Sequence, residues 1–367
     1  MIGYYAVSFK LGLFILLTLA FVALSVKYYP GAVAVAVAEL IVGSHGYLAS
    51  ITIGNFAVSI RQVFFIILIL ACFLSAKFWK SIYESSYRLI TPISVIILSL
   101  VYGIAIGLLR HNSLTGIYSD SNAYLYILFG LPVYWASQKA RFKVDLLSVV
   151  AAASIFLIFK TLFVEYILTH DFRFFNQDLY VWLRDTRLAE MTRTSTGAYR
   201  VFMPSQLFLL VPWFYCYIYI VKNGLSNKYA GLFALTTAAL IISFSRSLWL
   251  GIMIGLIIFF IYILVIDRKK IVNIFTGGLI GLIGGMVVIY AILWFPWPHS
   301  FARGGFPIDE RFNISTEAAA SSRWKLLPPL IESIRRHPVA GSGFGTPITY
   351  ISDDPRVRAV SPDGSYT

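Results

Sequence analysis

Apolar windows long enough to cross a bilayer recur along almost all of this chain, and they constrain its fold more than any other feature. A hydrocarbon core about 30 Å thick takes roughly 20 apolar residues per helix. Such windows predict helices over Leu11–Val26, Gly31–Gly43, Gln62–Phe78, Leu89–Leu109, Ala123–Trp135, Leu146–Leu168, Phe202–Val221, Tyr229–Ser243, Leu248–Ile266 and Ile274–Trp294. Gly31–Gly43 is short for a crossing and reads as half of a broken helix with the first span, so nine or ten spans are expected. The fold class is all-α: a polytopic transmembrane helical bundle over residues 1–297, followed by a large outer segment, 298–367.

Composition agrees. The 367 residues are 58% hydrophobic and 13% charged, against roughly 25% charged in soluble domains, and the mean hydropathy is +0.77. The net charge of +13 would point to nucleic acid in a soluble protein. In a membrane protein the placement of charge matters more than its sum, and no nucleic-acid partner is expected. Cys72 and Cys216 both fall inside apolar helices, which indicates neither a disulfide framework nor a metal site. Leu11–Val26 runs into Lys27-Tyr-Tyr-Pro rather than a small-residue cleavage site, so it reads as a span and not as a signal peptide. There is no obvious internal repeat.

The connections Lys77–Arg88, Lys139–Lys143, Lys222–Lys228 and Arg268–Lys270 are short, alternate along the chain and are rich in lysine, which places them in the cytoplasm. Arg61, Arg110, the Arg173–Arg200 segment, Arg246 and everything after Trp294 then lie on the other side, together with all five histidines; Lys325 is the lysine found there. The outer side is an arginine side. Guanidinium binds phosphate through a planar fork and keeps its charge, so these arginines want either an anionic ligand or the nearby Asp171, Asp178, Asp185, Glu190, Asp309, Glu310 and Glu317.

Arg246 is the sharpest of them. It stands in Ser243-Phe-Ser-Arg-Ser247, between two spans with almost no loop. A charge there is costly unless paired or wet; its partner is distant in sequence or is a ligand, or the side chain snorkels to lipid phosphate. Arg200, directly ahead of a span, is placed to reach inward. Lys160 sits in the apolar run Ile155–Tyr166, five residues before Glu165. That spacing does not pair on one helix face, so it reads as a snorkelling or cavity-lining lysine. The segment 169–200 interleaves Phe172, Phe174, Phe175, Tyr180, Trp182 and Leu183 with Arg173, Arg184 and Arg187, as a short helix on the outer leaflet would.

In the final segment Pro328-Pro329 is expected to start a helix with Leu327, Leu330, Ile331 and Ile334 on one face and Arg335 and Arg336 at its end. The glycines of Gly341-Ser-Gly-Phe-Gly345 allow close approach of backbone N–H groups to an anion, or simply a flexible turn. No lysine or strand-to-helix context makes this a Walker loop.

Ser322-Arg-Trp followed by His337-Pro-Val-Ala-Gly-Ser-Gly-Phe-Gly-Thr346 resembles the motif pair of the O-antigen ligase and polymerase family, and Phe244-Ser-Arg-Ser-Leu248 resembles its upstream arginine segment. The resemblance runs from about Arg200 to the end. It implies a GT-C-like, metal-independent glycosyltransferase without a cofactor. Such an enzyme moves a glycan from undecaprenyl pyrophosphate to a lipid or glycan acceptor at the periplasmic face of the bacterial inner membrane. Carried over, Arg246 and Arg323 bind the pyrophosphate and stabilise its charge as the glycosidic bond breaks. Arg200 and Arg311 follow less directly; His337, Gly341, Gly343 and Gly345 are further substrate-binding positions, with His337, before a proline at a helix end, reading equally as a residue that shapes the chain there.

Where ligases carry a His-Asn pair, this chain has Ser361-Pro-Asp-Gly-Ser-Tyr366, with Asp363 in the histidine's place. Asp363 is then either a base for the acceptor hydroxyl or a turn aspartate before Gly364. The departure weakens a lipid A-core ligase and leaves room for a polymerase. Family members re-enter the membrane after this point, so further helices are expected beyond residue 367. The rival class is a transporter or flippase for an anionic lipid or solute, which would show paired broken helices and inverted repeats. A purely structural membrane subunit leaves Arg246 unexplained.

Overall fold

The computed structural model describes residues 7–47, 49–53, 56–84, 87–172, 175–302, 306–307, 318–352, 357, 361, 363 and 365–366. It is mainly helical, as expected. Among the described residues six helices are long and apolar enough to cross a membrane: Phe9–Lys27, Thr91–Leu109, Phe142–Thr169, Pro204–Asn223, Arg246–Ile266 and Arg268–Leu293. The protein is therefore a multi-pass membrane protein, with fewer unaided spans than the sequence predicts.

The difference lies in breaks. The expected Gln62–Phe78 span is two helices, Ile60–Phe73 and Ala76–Glu84, bent by 75°. Ser75 sits at the corner, where its Oγ accepts the Phe78 amide at 3.4 Å and its carbonyl the Trp79 amide at 3.3 Å; a serine there caps the new helix. The Ala123–Trp135 window is divided among Leu114–Leu125, a 3-10 turn at Tyr126–Phe129 and Gly130–Ser137. The first helix ends at Lys27 and restarts at Tyr29, with Pro30 in the first turn, where its missing N–H costs no helical bond. Tyr29–Val42 and Asn227–Ile242 are apolar but shorter than a crossing.

The chain divides into two compact units, Met1–Leu68 with Ala136–Arg311, and Ile69–Trp135 with Phe312–Thr367. The first is built on close helix contacts made possible by small residues. Gly277, Gly281 and Gly285 form a buried stripe on Ile271–Leu293. A Cβ at Gly281 would strike the ring of Phe233, and one at Gly285 would lie 2.8 Å from the methyl of Thr237 on Asn227–Ile242. Such stripes let two backbones approach where lipid offers no hydrophobic drive. Ala32, Val33, Ala34 and Ala36 bury the Tyr29–Val42 helix in the same unit. Its last carbonyl, on Val42, accepts the ammonium of Lys160 at 2.7 Å. Lys160 thus has a packing role at a helix C-terminus, where a cation is favoured. Arg61 forks onto Glu39 through Nε at 2.6 Å and Nη2 at 3.3 Å.

The predicted interfacial helix of the 169–200 segment is Asn176–Asp185, followed by a hairpin that the sequence reading lacks: Glu190–Arg193 pairs antiparallel with Tyr199–Phe202.

The second unit joins the Thr91–Leu109 span to the final segment. The helix there begins at Ala318 and runs to Arg336 with Pro328 and Pro329 inside it, so the prolines do not start it. Neither proline can donate a bond to the helical ladder; Trp324 and Lys325, four residues before them, are exposed to solvent. Trp324, Leu327, Ile331 and Ile334 form an exposed apolar stripe on this helix.

Candidate active site

Arg246 opens the helix Arg246–Ile266, and the chain reverses just before it. Phe244 takes φ +49° with its ring buried, a conformation that costs a bulky residue about 1–3 kcal/mol. Its ring packs on Phe306 at 4.4 Å and Trp249 at 6.2 Å, and Trp249 donates its indole N–H to the Leu240 carbonyl at 3.1 Å. The Ser245 amide donates to Ser243 Oγ at 3.2 Å, and the Ser245 and Ser247 hydroxyls meet at 3.0 Å. These contacts hold a tight turn and present Arg246, half-buried, at the positive end of a helix whose first turn carries no acid. That electrostatic arrangement suits an anion.

Arg200 comes to the same turn from the hairpin. Its Nε donates to the Ser243 carbonyl at 3.3 Å, its guanidinium lies 5.3 Å from the centre of the Phe202 ring, and Nη2 stands 3.9 Å from Glu190. The Glu190 carboxylate is mostly exposed, so that ion pair contributes little. Both neighbours of Arg200 are tied down. The Tyr199 amide donates to Glu165 Oε1 at 3.0 Å, and the Val201 carbonyl accepts Gln206 Nε2 at 3.2 Å. Gln206 also reaches Thr161 Oγ1 at 3.3 Å and accepts the Met203 amide at 3.1 Å. Glu165 and Gln206, both buried, are the supports that sequence reasoning missed.

In the second unit the glycine loop is docked, not free. The Phe344 amide donates to the Gly103 carbonyl at 3.0 Å, and the Gly345 amide to Asp120 Oδ2 at 2.8 Å. Asn112 Nδ2 reaches the Phe344 carbonyl at 2.8 Å, Thr346 Oγ1 at 3.0 Å and the Ser342 carbonyl at 3.2 Å. Gly343 and Gly345 have φ of +78° and +75°. A Cβ on Gly343 would run into the backbone of Gly107, and one on Gly345 would lie 2.6 Å from the Ile117 amide. Gly341, at φ +69°, has open space around it. The loop needs glycine to lie flat on the end of a span.

Asp363 is exposed in a turn, where Oδ1 accepts the amide of Ser365 at 3.1 Å and its hydroxyl at 2.9 Å. Those bonds hold its carboxyl below the usual carboxylate range. His337 lies at the end of the Ala318–Arg336 helix, with its backbone amide on the Ile334 carbonyl at 3.2 Å. Arg311 falls outside the described residues, and of Arg323 only the backbone within Ala318–Arg336 is described. Among the described residues no cluster of three His, Cys, Asp or Glu side chains could hold a metal.

The fold is that of a multi-pass membrane protein, with Arg246 at a helix start and Arg200 on the adjoining hairpin. Residues 231–367, somewhat over a third of the chain, match the family model described as O-antigen ligase. Arg246, Arg311, Arg323, His337, the three loop glycines and Asp363 lie within the match, and Arg200 lies before it. Neither the curated proteins nor the solved structures gave a match to this chain.

Proposed function

We propose that this protein is a metal-independent glycosyltransferase, moving a glycan from undecaprenyl pyrophosphate to a lipid or glycan acceptor at the periplasmic face of the bacterial inner membrane. The observation that carries the reading is the convergence of Arg200 and Arg246 on one constrained turn at a helix N-terminus. The glycosyl carbon's bond to the pyrophosphate oxygen breaks and a bond to the acceptor hydroxyl oxygen forms. The acceptor's proton goes to a base, for which Asp363 is the candidate, and undecaprenyl pyrophosphate departs with the electron pair. Guanidinium groups pre-placed where that charge develops stabilise the transition state without reorganising. Arg323 and Arg311 are assigned the same electrostatic duty from the family resemblance, and His337, Gly341, Gly343 and Gly345 contacts to the substrate. A GT-C-like architecture with nine or ten crossings belongs to this proposal too, with the bent and short helices making up the number.

The test is release of undecaprenyl pyrophosphate by the protein in detergent, given an undecaprenyl-pyrophosphate oligosaccharide and an acceptor. Loss of release in Arg246→Ala and Arg323→Ala is the expected result, and product length separates ligase from polymerase. A donor left intact by the parent protein but bound through Arg246 would instead fit the transporter or flippase reading.

A further inference from the structure

Within the second unit a cavity of about 520 Å³ opens between the end of the Thr91–Leu109 span and the helix that carries His337 at its close. Its size is that of a small-molecule site, roughly 300–1,000 Å³. Arg110, Asn112, Glu332, Ser333, Arg336 and His337 line it. None of the roles assigned above uses Arg110, Glu332 or Arg336.

The side chains of Arg110 and His337 make no ion pair or hydrogen bond with any described residue. Arg336 is engaged by Glu332 through Nε at 3.2 Å, and the Ser333 and Ser342 hydroxyls face each other at 3.3 Å. The wall opposite is rigid, because Asn112 is committed to the glycine loop and the Thr346 hydroxyl is bonded to the Ser342 carbonyl at 2.8 Å. Pro329, Pro347 and Ile348 supply small apolar faces. Two guanidinium groups against one carboxylate leave a positive balance, surrounded by hydroxyl partners and flat apolar patches. A lipid tail would strand those polar groups. A sugar ring offers C–H faces to the prolines and hydroxyls to Glu332 and Ser333, and an acidic substituent gives Arg110 its anion.

We propose that this cavity binds an acidic saccharide, a sugar bearing a carboxylate or phosphate, with the anionic group on Arg110 and the ring hydroxyls on Glu332 and Ser333. The choice of ligand rests on the glycan-transfer reading and narrows it to charged glycans. Phosphate chemistry of the same kind is offered by a lipid headgroup, and the experiment separates the two.

The full chain is placed in nanodiscs of phosphatidylcholine and titrated calorimetrically with trigalacturonate and with neutral galactotriose. The expected result is at least about tenfold tighter binding of the uronate, weakening as salt is added. Arg110→Gln, at an exposed position that the fold tolerates, is expected to remove that preference, and Arg110→Lys to restore part of it. Equal binding of the two sugars, no binding of the uronate, or unchanged affinity in Arg110→Gln overturns the proposal. So does loss of uronate binding when phosphatidylglycerol replaces phosphatidylcholine, which would make the site a headgroup site. Arg246→Ala is expected to bind the uronate normally while transferring nothing. Transfer that persists in it overturns the transferase assignment of Arg246 and leaves the saccharide site standing.

Discussion

Glu165 Oε1 accepts the backbone amide of Tyr199 at 3.0 Å, from a side chain that is only 1% exposed. Oε2 of the same carboxyl has no partner among the described residues. A carboxyl in the interior of a membrane protein is expensive unless it does something, and here it fixes the residue next to Arg200. Glu165→Ala is expected to lower stability by about 1–3 kcal/mol, the usual cost of leaving a buried amide unbonded. It should also raise the KM for donor more than it lowers kcat. Glu165→Gln keeps a carbonyl for the Tyr199 amide and should restore most of both. Thermal unfolding and donor-dependent kinetics check this together; equal effects of Ala and Gln would exclude the hydrogen bond as the cause.

The loop glycines separate by environment. Gly341→Ala meets only the left-handed backbone, an expected loss of about 1–2 kcal/mol. Gly343→Ala and Gly345→Ala add a collision with backbone and should cost clearly more, releasing the loop from Gly103 and Asp120. Hydrogen exchange at the Phe344 and Gly345 amides is the direct readout. Fast exchange in Gly341→Ala as well would refute the docking explanation.

Lys160 is expected to matter for packing and not for transfer. Lys160→Met removes the donor to the Val42 carbonyl and should lower stability by about 1 kcal/mol while glycan release stays within about twofold of the parent. A collapse of release with stability unchanged would instead give Lys160 a part in transfer.

For Asp363 the sign of the pH effect is fixed by its hydrogen bonds. The Ser365 amide and then its hydroxyl favour the ionised form, so the folded value lies below the ordinary one. The stabilisation of this turn is fully present above the unfolded value of about 3.9 and is lost as pH falls through the folded value. If Asp363 takes the acceptor's proton, the acid limb of the rate profile should lie below the ordinary aspartate range. Asp363→Asn should keep the turn and abolish transfer. An acid limb near neutrality, or an active Asn variant, would leave Asp363 as a turn residue alone.

Much of this was legible from sequence because it is local. Apolar windows locate the six long helices, though not the breaks in the other windows, and the near-absence of a loop around Ser243–Ser247 singles out Arg246 before any contact is known. The breaks were harder: Ser75 interrupts an apolar run without proline or glycine, so only the packing of either side reveals the 75° bend. The hairpin over 190–202 escaped because four-residue strands are too short to show alternation amid arginines and aromatics. The partnerships of Glu165 with Tyr199, and of Asn112 with the glycine loop, join residues distant in sequence, and no spacing rule reaches that far. Three glycines in sequence suit an anion cradle and a flexible turn equally; the docked backbone supplies a steric reason for Gly343 and Gly345 that only the fold reveals.

On the Arg246–Ile266 helix Trp249, Ile252, Leu256 and Phe259 are half-buried against the core of the first unit, while Leu250, Met253, Ile254, Ile257, Ile258 and Ile261 are exposed apolar side chains suited to lipid. The 21 residues of this helix extend for about 31 Å at 1.5 Å each, close to the thickness of the hydrocarbon layer. A thinner bilayer would tilt this rod and a thicker one would draw it upright. The height of the guanidinium above the acyl chains is thereby coupled to acyl-chain length, which makes the surrounding lipid a variable of the chemistry at its tip.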